Sequence, residues 1–228
     1  MDRDPEAENN VDQNADDKSL SLGWRLVVGV VAVIIIVALA IPFLADQSSG
    51  TDNGVATSTQ ASSISAEEHF GAGNAHYEAS RWDEAVAAYQ KAIELDPGYQ
   101  AAYANLGVTY YQLQQFDLAA FQYEKALELD PNDGEVAYNL GALYLQEALV
   151  TGQTDRELLG TAITQLERAK EMTPELAEPY FSLGVAYLAL DQDDEAVQSF
   201  ETFLSLASTT DPQAVQEAER YLRDLRGQ

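Results

Sequence analysis

This 228-residue sequence predicts an all-α fold. We expect a solenoid of about four helix-turn-helix repeats, closed by a C-terminal capping helix and preceded by one transmembrane helix. Three observations lead there. Gly73, Gly107, Gly141 and Gly184 are spaced 34, 34 and 43 residues, and Ala85, Ala119, Ala162 and Ala196 are spaced 34, 43 and 34. Pro97, Pro131 and Pro174 keep the same rhythm, at 34 and 43. A period of this length marks an array whose units stack to bury a shared core. The third observation is an uncharged apolar run, Leu26 to Ala45.

Bulk composition narrows the function. The chain has no cysteine, which excludes a disulfide framework, a thiolate nucleophile and cysteine-held zinc or iron–sulfur sites. Its 12 basic and 38 acidic residues give a formal net charge of −26. Such a chain repels nucleic-acid phosphates, so no nucleic-acid partner is expected. It also avoids lying flat on an anionic bilayer. The acidity serves solubility, or it serves a basic partner.

Taken in order, residues 1–25 read as a disordered acidic tail, with seven acidic residues before Leu20 and no apolar periodicity. Residues 26–45 read as the transmembrane helix. Twenty residues at about 1.5 Å each span about 30 Å, the thickness of a bilayer core. Trp24 and Arg25 sit at its start, where an interfacial aromatic and a cation belong. The competing reading is a cleaved signal peptide with its small-residue site at Ala38-Leu39-Ala40. Against it stand the length of the apolar run and the long polar segment before it. Lys18 and Arg25 flank the N-terminal side, and the next basic residue beyond is Arg81. The positive-inside rule then places the N-terminus in the cytoplasm and the repeats on the extracytoplasmic side. Residues 46–65, rich in Ser, Thr, Gly, Asn and Gln, read as a flexible linker spanning roughly 25 Å on average.

The repeats occupy 66–99, 100–133, 134–176 and 177–208. Ser65 with Glu68 forms a capping-box pattern ahead of the first helix. That helix runs to about Glu78, and its partner from about Trp82 to Leu95. Asp96-Pro97 ends the pair, because proline removes a donor and clashes with the preceding turn. Asp130-Pro131 and Thr173-Pro174 repeat the stop. In the first helices Tyr103, Leu106, Gly107 and Tyr110 are answered by Leu140, Gly141 and Tyr144, with Ala137 in the first aromatic's place, and by Tyr180, Leu183, Gly184 and Tyr187. In the second helices Ala85, Tyr89, Ala92 and Pro97 are answered by Ala119, Tyr123, Ala126 and Pro131. Small residues sit where two helices cross closely, and large ones fill the space around the crossing.

These residues resemble the tetratricopeptide repeat family across 66–208. The resemblance implies a right-handed superhelical solenoid whose first helices line a concave, polypeptide-binding groove. Carried onto this chain, the lining is Phe70, Asn74 and Tyr77 in the first repeat and Asn105, Val108, Tyr111 and Gln112 in the second. The third supplies Tyr138, Asn139, Ala142 and Leu145, and the fourth Phe181, Ser182 and Val185. Asn side chains donate and accept at once, so they suit a ligand main chain of any sequence. The family's carboxylate clamp uses Lys, Arg and two Asn. Asn74 and Asn105 match its asparagines, but Phe70 and Glu135 stand where Lys would be and Asn139 where Arg would be. A neutral or basic segment is therefore the expected ligand.

Three departures from the pattern carry expectations of their own. His69, Ala72 and His76 replace large residues of the first repeat. The two histidines lie about 10.5 Å apart along the axis, too far for one ion without a third element, so we read them as packed side chains and expect no metal. In the third repeat Tyr144 and Ala162 are 18 residues apart, against 9 for Tyr110–Ala119, an insertion of nine. We place it as a first helix extended to about Val150, a turn at 151–153, and a second helix starting at Thr154 with a Thr154–Glu157 capping box. The protruding hairpin reads as a tolerated extension or a docking knob. Phe203 and Ser208 replace Ala and Pro in the fourth repeat, as where no further repeat stacks. Asp211 and Pro212 then begin a capping helix within 209–228, with Ala214, Val215, Ala218, Tyr221, Leu222 and Leu225 on its apolar face.

No catalytic constellation appears. There is no phosphate loop after a strand, and the carboxylate clusters sit at helix starts, where the dipole favours them. We expect no enzyme, no cofactor and no small-molecule substrate. The chain reads as a membrane-tethered protein-interaction scaffold, an assembly or chaperone-like adaptor at the cell envelope. The alternative is a self-associating scaffold, a homo-oligomer.

Overall fold

The computed structural model describes residues 65–150, 155–207 and 212–227. Among them are nine helices and no strand: α1 (Ala66–Glu78), α2 (Trp82–Leu95), α3 (Gln100–Gln112), α4 (Phe116–Leu129), α5 (Gly134–Val150), α6 (Arg156–Met172), α7 (Glu178–Ala189), α8 (Asp193–Leu206) and α9 (Pro212–Leu225). The predicted tail, transmembrane helix and all of the linker but Ser65 lie outside the described residues, as do Asp211 and Ser208. No helix among the described residues is long and apolar enough to cross a membrane. The described chain falls into two compact units, 65–131 and 132–227.

In the first unit, α1 pairs with α2 and α3 with α4, and α3 also packs on α2. Ser65 caps α1 as the sequence indicates: its Oγ accepts from Glu68 N at 3.1 Å, and Glu68 Oε2 accepts from Ser65 N at 2.7 Å. Each hairpin closes by ring against glycine. A Cβ added to Gly73 would stand 2.5 Å from the Tyr89 ring, and one added to Gly107 would stand 2.7 Å from the Tyr123 ring. Ala85, Ala92, Ala119 and Ala126 are fully buried at the crossings.

The second unit repeats this register with other residues. Gly141 receives Leu166, with a Cβ distance of 2.8 Å, and Gly184 receives the Phe200 ring at 2.6 Å. The nine-residue insertion is shared out. Helix α5 has 17 residues where α3 has 13, and α6 has 17 where α4 has 14. The remaining two lengthen the connection. Thr154 and the turn at 151–153 lie outside the described residues, and the cap of α6 is Asp155, its Oδ1 accepting from Glu157 N at 3.1 Å and Leu158 N at 3.0 Å. A carboxylate satisfies two orphan amides and faces the positive end of the dipole, which a hydroxyl does less well. Arg156 then donates to the Leu190 carbonyl at 3.1 Å, tying α6 to the end of α7. Helix α9 covers α8 through Tyr221, whose ring stacks on Phe200 at 5.1 Å. Ala214, Ala218 and Leu222 are buried beside it.

Three turns inside the hairpins share a left-handed residue that is not glycine. Ser80, Gln114 and Asp191 have φ of 55°, 59° and 60°. Arg81 N donates to His76 O and Ser80 N to Tyr77 O, and the same pair of bonds recurs at Gln115 and Gln114 and at Gln192 and Asp191. This double bond pattern stops a helix by satisfying its last carbonyls.

Candidate functional site

The first helices of the first unit, α1 and α3, present the residues that the resemblance singles out. Phe70, Tyr77, Asn105, Val108, Tyr111 and Gln112 are half-buried, so each keeps a partly open surface. Phe70 lies between Tyr89 and Tyr99, with ring centroids at 5.8 and 4.8 Å. Tyr77 meets Trp82 edge-on at 4.9 Å, and Tyr111 tilts against Phe116 at 5.6 Å. Both pairs join the end of a first helix to the start of its partner. The sequence reading missed them, although the two pairs recur at the 34-residue spacing.

Asn74 is 7% exposed. Its Oδ1 accepts from the Tyr89 hydroxyl at 2.7 Å and from Asn105 Nδ2 at 3.0 Å. The second of these bonds joins α1 to α3, so the two predicted asparagines are brought into direct contact. Tyr89, absent from the predicted lining, is the residue that holds them from below. Burial raises the Tyr77 and Tyr89 hydroxyl pKa values above the ordinary value and pushes Tyr111 up to about 12. These phenols are therefore neutral hydrogen-bond donors at any physiological pH.

The predicted lining of the second unit is placed differently. Tyr138, Ala142, Leu145, Phe181, Ser182 and Val185 are all buried, and Asn139 is half-buried. Phe181 packs edge-on against Phe200 and Phe203, at 5.7 and 5.2 Å. Phe203, the residue that replaces a small Ala in this repeat, supplies part of that contact.

The histidines of α1 also differ from expectation. They are half-buried, and Ala72 between them is exposed. Among the described residues no helix precedes α1 to cover that face. His76 Nδ1 accepts from Arg81 Nε at 3.1 Å. No group of three or more potential metal ligands occurs among the described residues.

Helical hairpins locked at one glycine register and stacked through their second helices define a helical-repeat interaction domain. Models described as TPR repeat and tetratricopeptide repeat match residues 73–114, and then 101–133, 122–159 and 177–210. The chain belongs to the tetratricopeptide repeat family, and its repeat domain is a protein-interaction scaffold of a family that is typically non-enzymatic. No curated protein matched the chain by sequence. Among solved structures it is similar to PilF of Pseudomonas aeruginosa, at 23% identity over 71% of this chain and 69% of that one, with a TM-score of 0.60. It is similar to MamA at 23% identity over 70% and 84%, with a TM-score of 0.59. A thermophilic TPR protein of Thermus thermophilus follows at 22% identity over 71% and 81%, with a TM-score of 0.53. At these identities the likeness is one of fold.

Proposed function

We propose that this chain is a membrane-tethered scaffold that holds a segment of another polypeptide against the α1/α3 face. The observation that carries the reading is the half-open line of rings and amides on that face, from Phe70 through the bonded Asn74–Asn105 pair to Tyr111. Rings supply apolar area at little conformational cost, and amides engage a main chain of any sequence. The tether is the apolar run at 26–45. The lack of clamp cations at Phe70, Glu135 and Asn139, with the net charge of −26, favours a neutral or basic segment. A role in assembly or folding at the cell envelope fits a tethered, sequence-tolerant binder.

Crosslinking in the membrane tests the reading. The full-length chain should yield polypeptide adducts that fall at least tenfold in the Asn105→Ala/Tyr111→Ala variant. Adducts that persist unchanged would contradict it. A second reading, self-association, draws on Leu118 and Phe121 of α4, which are 44% and 51% exposed. A sedimentation measurement that finds the chain monomeric would remove it.

A further inference from the structure

The ring pairs at the end of the α1/α3 face are not required by the fold. Tyr77 meets Trp82 edge-on at 4.9 Å with the rings inclined at 62°, and Tyr111 meets Phe116 at 5.6 Å and 55°. At the registers of Tyr77 and Trp82 the fourth repeat carries Leu188 and Asp193, and its hairpin forms without either ring. All four rings are half-buried, so each keeps part of its surface open.

The two pairs stand on neighbouring helices at one register. The Asn74–Asn105 bond joins α1 to α3, and one turn further on Tyr77 hydrogen-bonds the side chain of Gln112, the residue after Tyr111. Packed helices lie about 8–10 Å apart, so the ring pairs repeat at that step. A polyproline II chain has three residues per turn and rises about 3.1 Å per residue, so every third residue recurs at about 9 Å. The two steps agree. Inclined rings form a corner, and proline fills it with a compact ring that has no side-chain freedom to lose.

Hydrogen bonding and charge favour the same ligand. Proline has no backbone N–H, so a proline-rich chain offers carbonyls that call for donors. The Trp82 indole N–H bonds to no group among the described residues. Glu78, Asp83 and Asp117 directly follow Tyr77, Trp82 and Phe116, and all three are exposed. Helices α1 and α3 carry no Lys or Arg, and Arg81, in the turn between Tyr77 and Trp82, is engaged with His76. Cations on the ligand therefore meet carboxylates beside each ring pair. No two of the chain's seven prolines are three residues apart, so the ligand belongs to another polypeptide.

We propose that the Tyr77–Trp82 and Tyr111–Phe116 pairs take a basic, proline-rich segment of a partner polypeptide, with prolines three residues apart seated on successive pairs. The proposal rests on the reading of the α1/α3 face as the binding face and names the class of segment it takes.

Fluorescence anisotropy of the full-length chain with labelled peptides tests it. The probe is four Pro-Ala-Lys repeats. The comparison peptides are a permutation of the same composition with no two prolines three apart, and four Pro-Ala-Glu repeats. The probe should bind at least tenfold more tightly than either. Trp82→Leu/Phe116→Leu, which keeps apolar bulk and removes the flat rings, should weaken it at least tenfold with the circular dichroism unchanged. Asp83→Asn/Asp117→Asn, at exposed positions that leave the fold intact, should weaken it at least threefold and reduce its salt dependence. Equal affinity for the permuted peptide, no binding of the probe, or binding that survives either double variant would overturn the proposal. Those outcomes leave the dependence of crosslinking on Asn105 and Tyr111 standing, whereas loss of that dependence removes the binding face and the proposal with it.

Discussion

Gly73 and Gly107 each lie under an aromatic ring, and a hydrogen is the largest side chain either position admits. Replacing Gly73 with Ala drives a methyl group to 2.5 Å from Tyr89. Gly73→Ala should therefore destabilise the fold by about 1–3 kcal/mol, the range for overpacking. It should also disturb the Asn74–Tyr89 bond, because the ring must shift. Gly71, two residues earlier on the same helix, has nothing within 4 Å of an added Cβ. Gly71→Ala should raise stability by roughly 0.5–1 kcal/mol, since alanine loses less backbone freedom in a helix. Denaturant titration of the two variants side by side reads both signs. The left-handed turns give a second residue-scale prediction. Gln114 adopts φ of 59° with an exposed side chain, a conformation that costs a non-glycine residue about 1 kcal/mol or more. Gln114→Gly should raise the thermal midpoint.

At the scale of elements, the capping helix shows how a repeat array ends. Helix α9 presents Tyr221 to Phe200, and Phe200 in turn fills the space over Gly184. Tyr221→Ala should cost about 3–5 kcal/mol, as for other buried aromatic truncations. Hydrogen exchange should show the loss concentrated in α8 and α9. Helix limits were legible because the period, the prolines and the Ser65–Glu68 box are each local signals. The limits at Glu78, Leu95, Val150 and Leu225 follow from them. What was not legible depended on contacts far apart in sequence. The cap of α6 at Asp155, one residue past the expected start, rests on a carboxylate that reaches two amides at once. The left-handed turns carry Ser80, Gln114 and Asp191, where composition would point to glycine. Phe70 and Phe181 share a register in the repeat, and register alone assigns them one role. Phe181 is buried against Phe200 and Phe203, whereas Phe70 stays half-open between Tyr89 and Tyr99.

Over the whole molecule, buried phenols tie stability to alkaline pH. Burial raises the hydroxyl pKa values of Tyr77, Tyr89, Tyr99 and Tyr123, and it pushes Tyr111 and Tyr187 up to about 12. For Tyr187 the carboxylate of Glu167, which accepts its hydroxyl at 3.1 Å, adds to the shift. The unfolded chain releases these protons near pH 10, while the folded chain still holds them. The stabilisation is therefore fully present below pH 10 and falls as pH rises through the folded values. Urea midpoints measured from pH 8 to pH 11 should stay flat and then drop beyond pH 10. A midpoint that stayed flat through pH 11 would show the phenols to be exposed.

The central claim is that polypeptide binds to the α1/α3 face. The most direct measurement places a photoreactive amino acid at position 108, on α3, and separately at position 87, on the exposed side of α2, in the full-length chain produced in cells. The account predicts polypeptide adducts from position 108 and none above background from position 87. Adducts from position 87 alone, or equal yields from both, would contradict it.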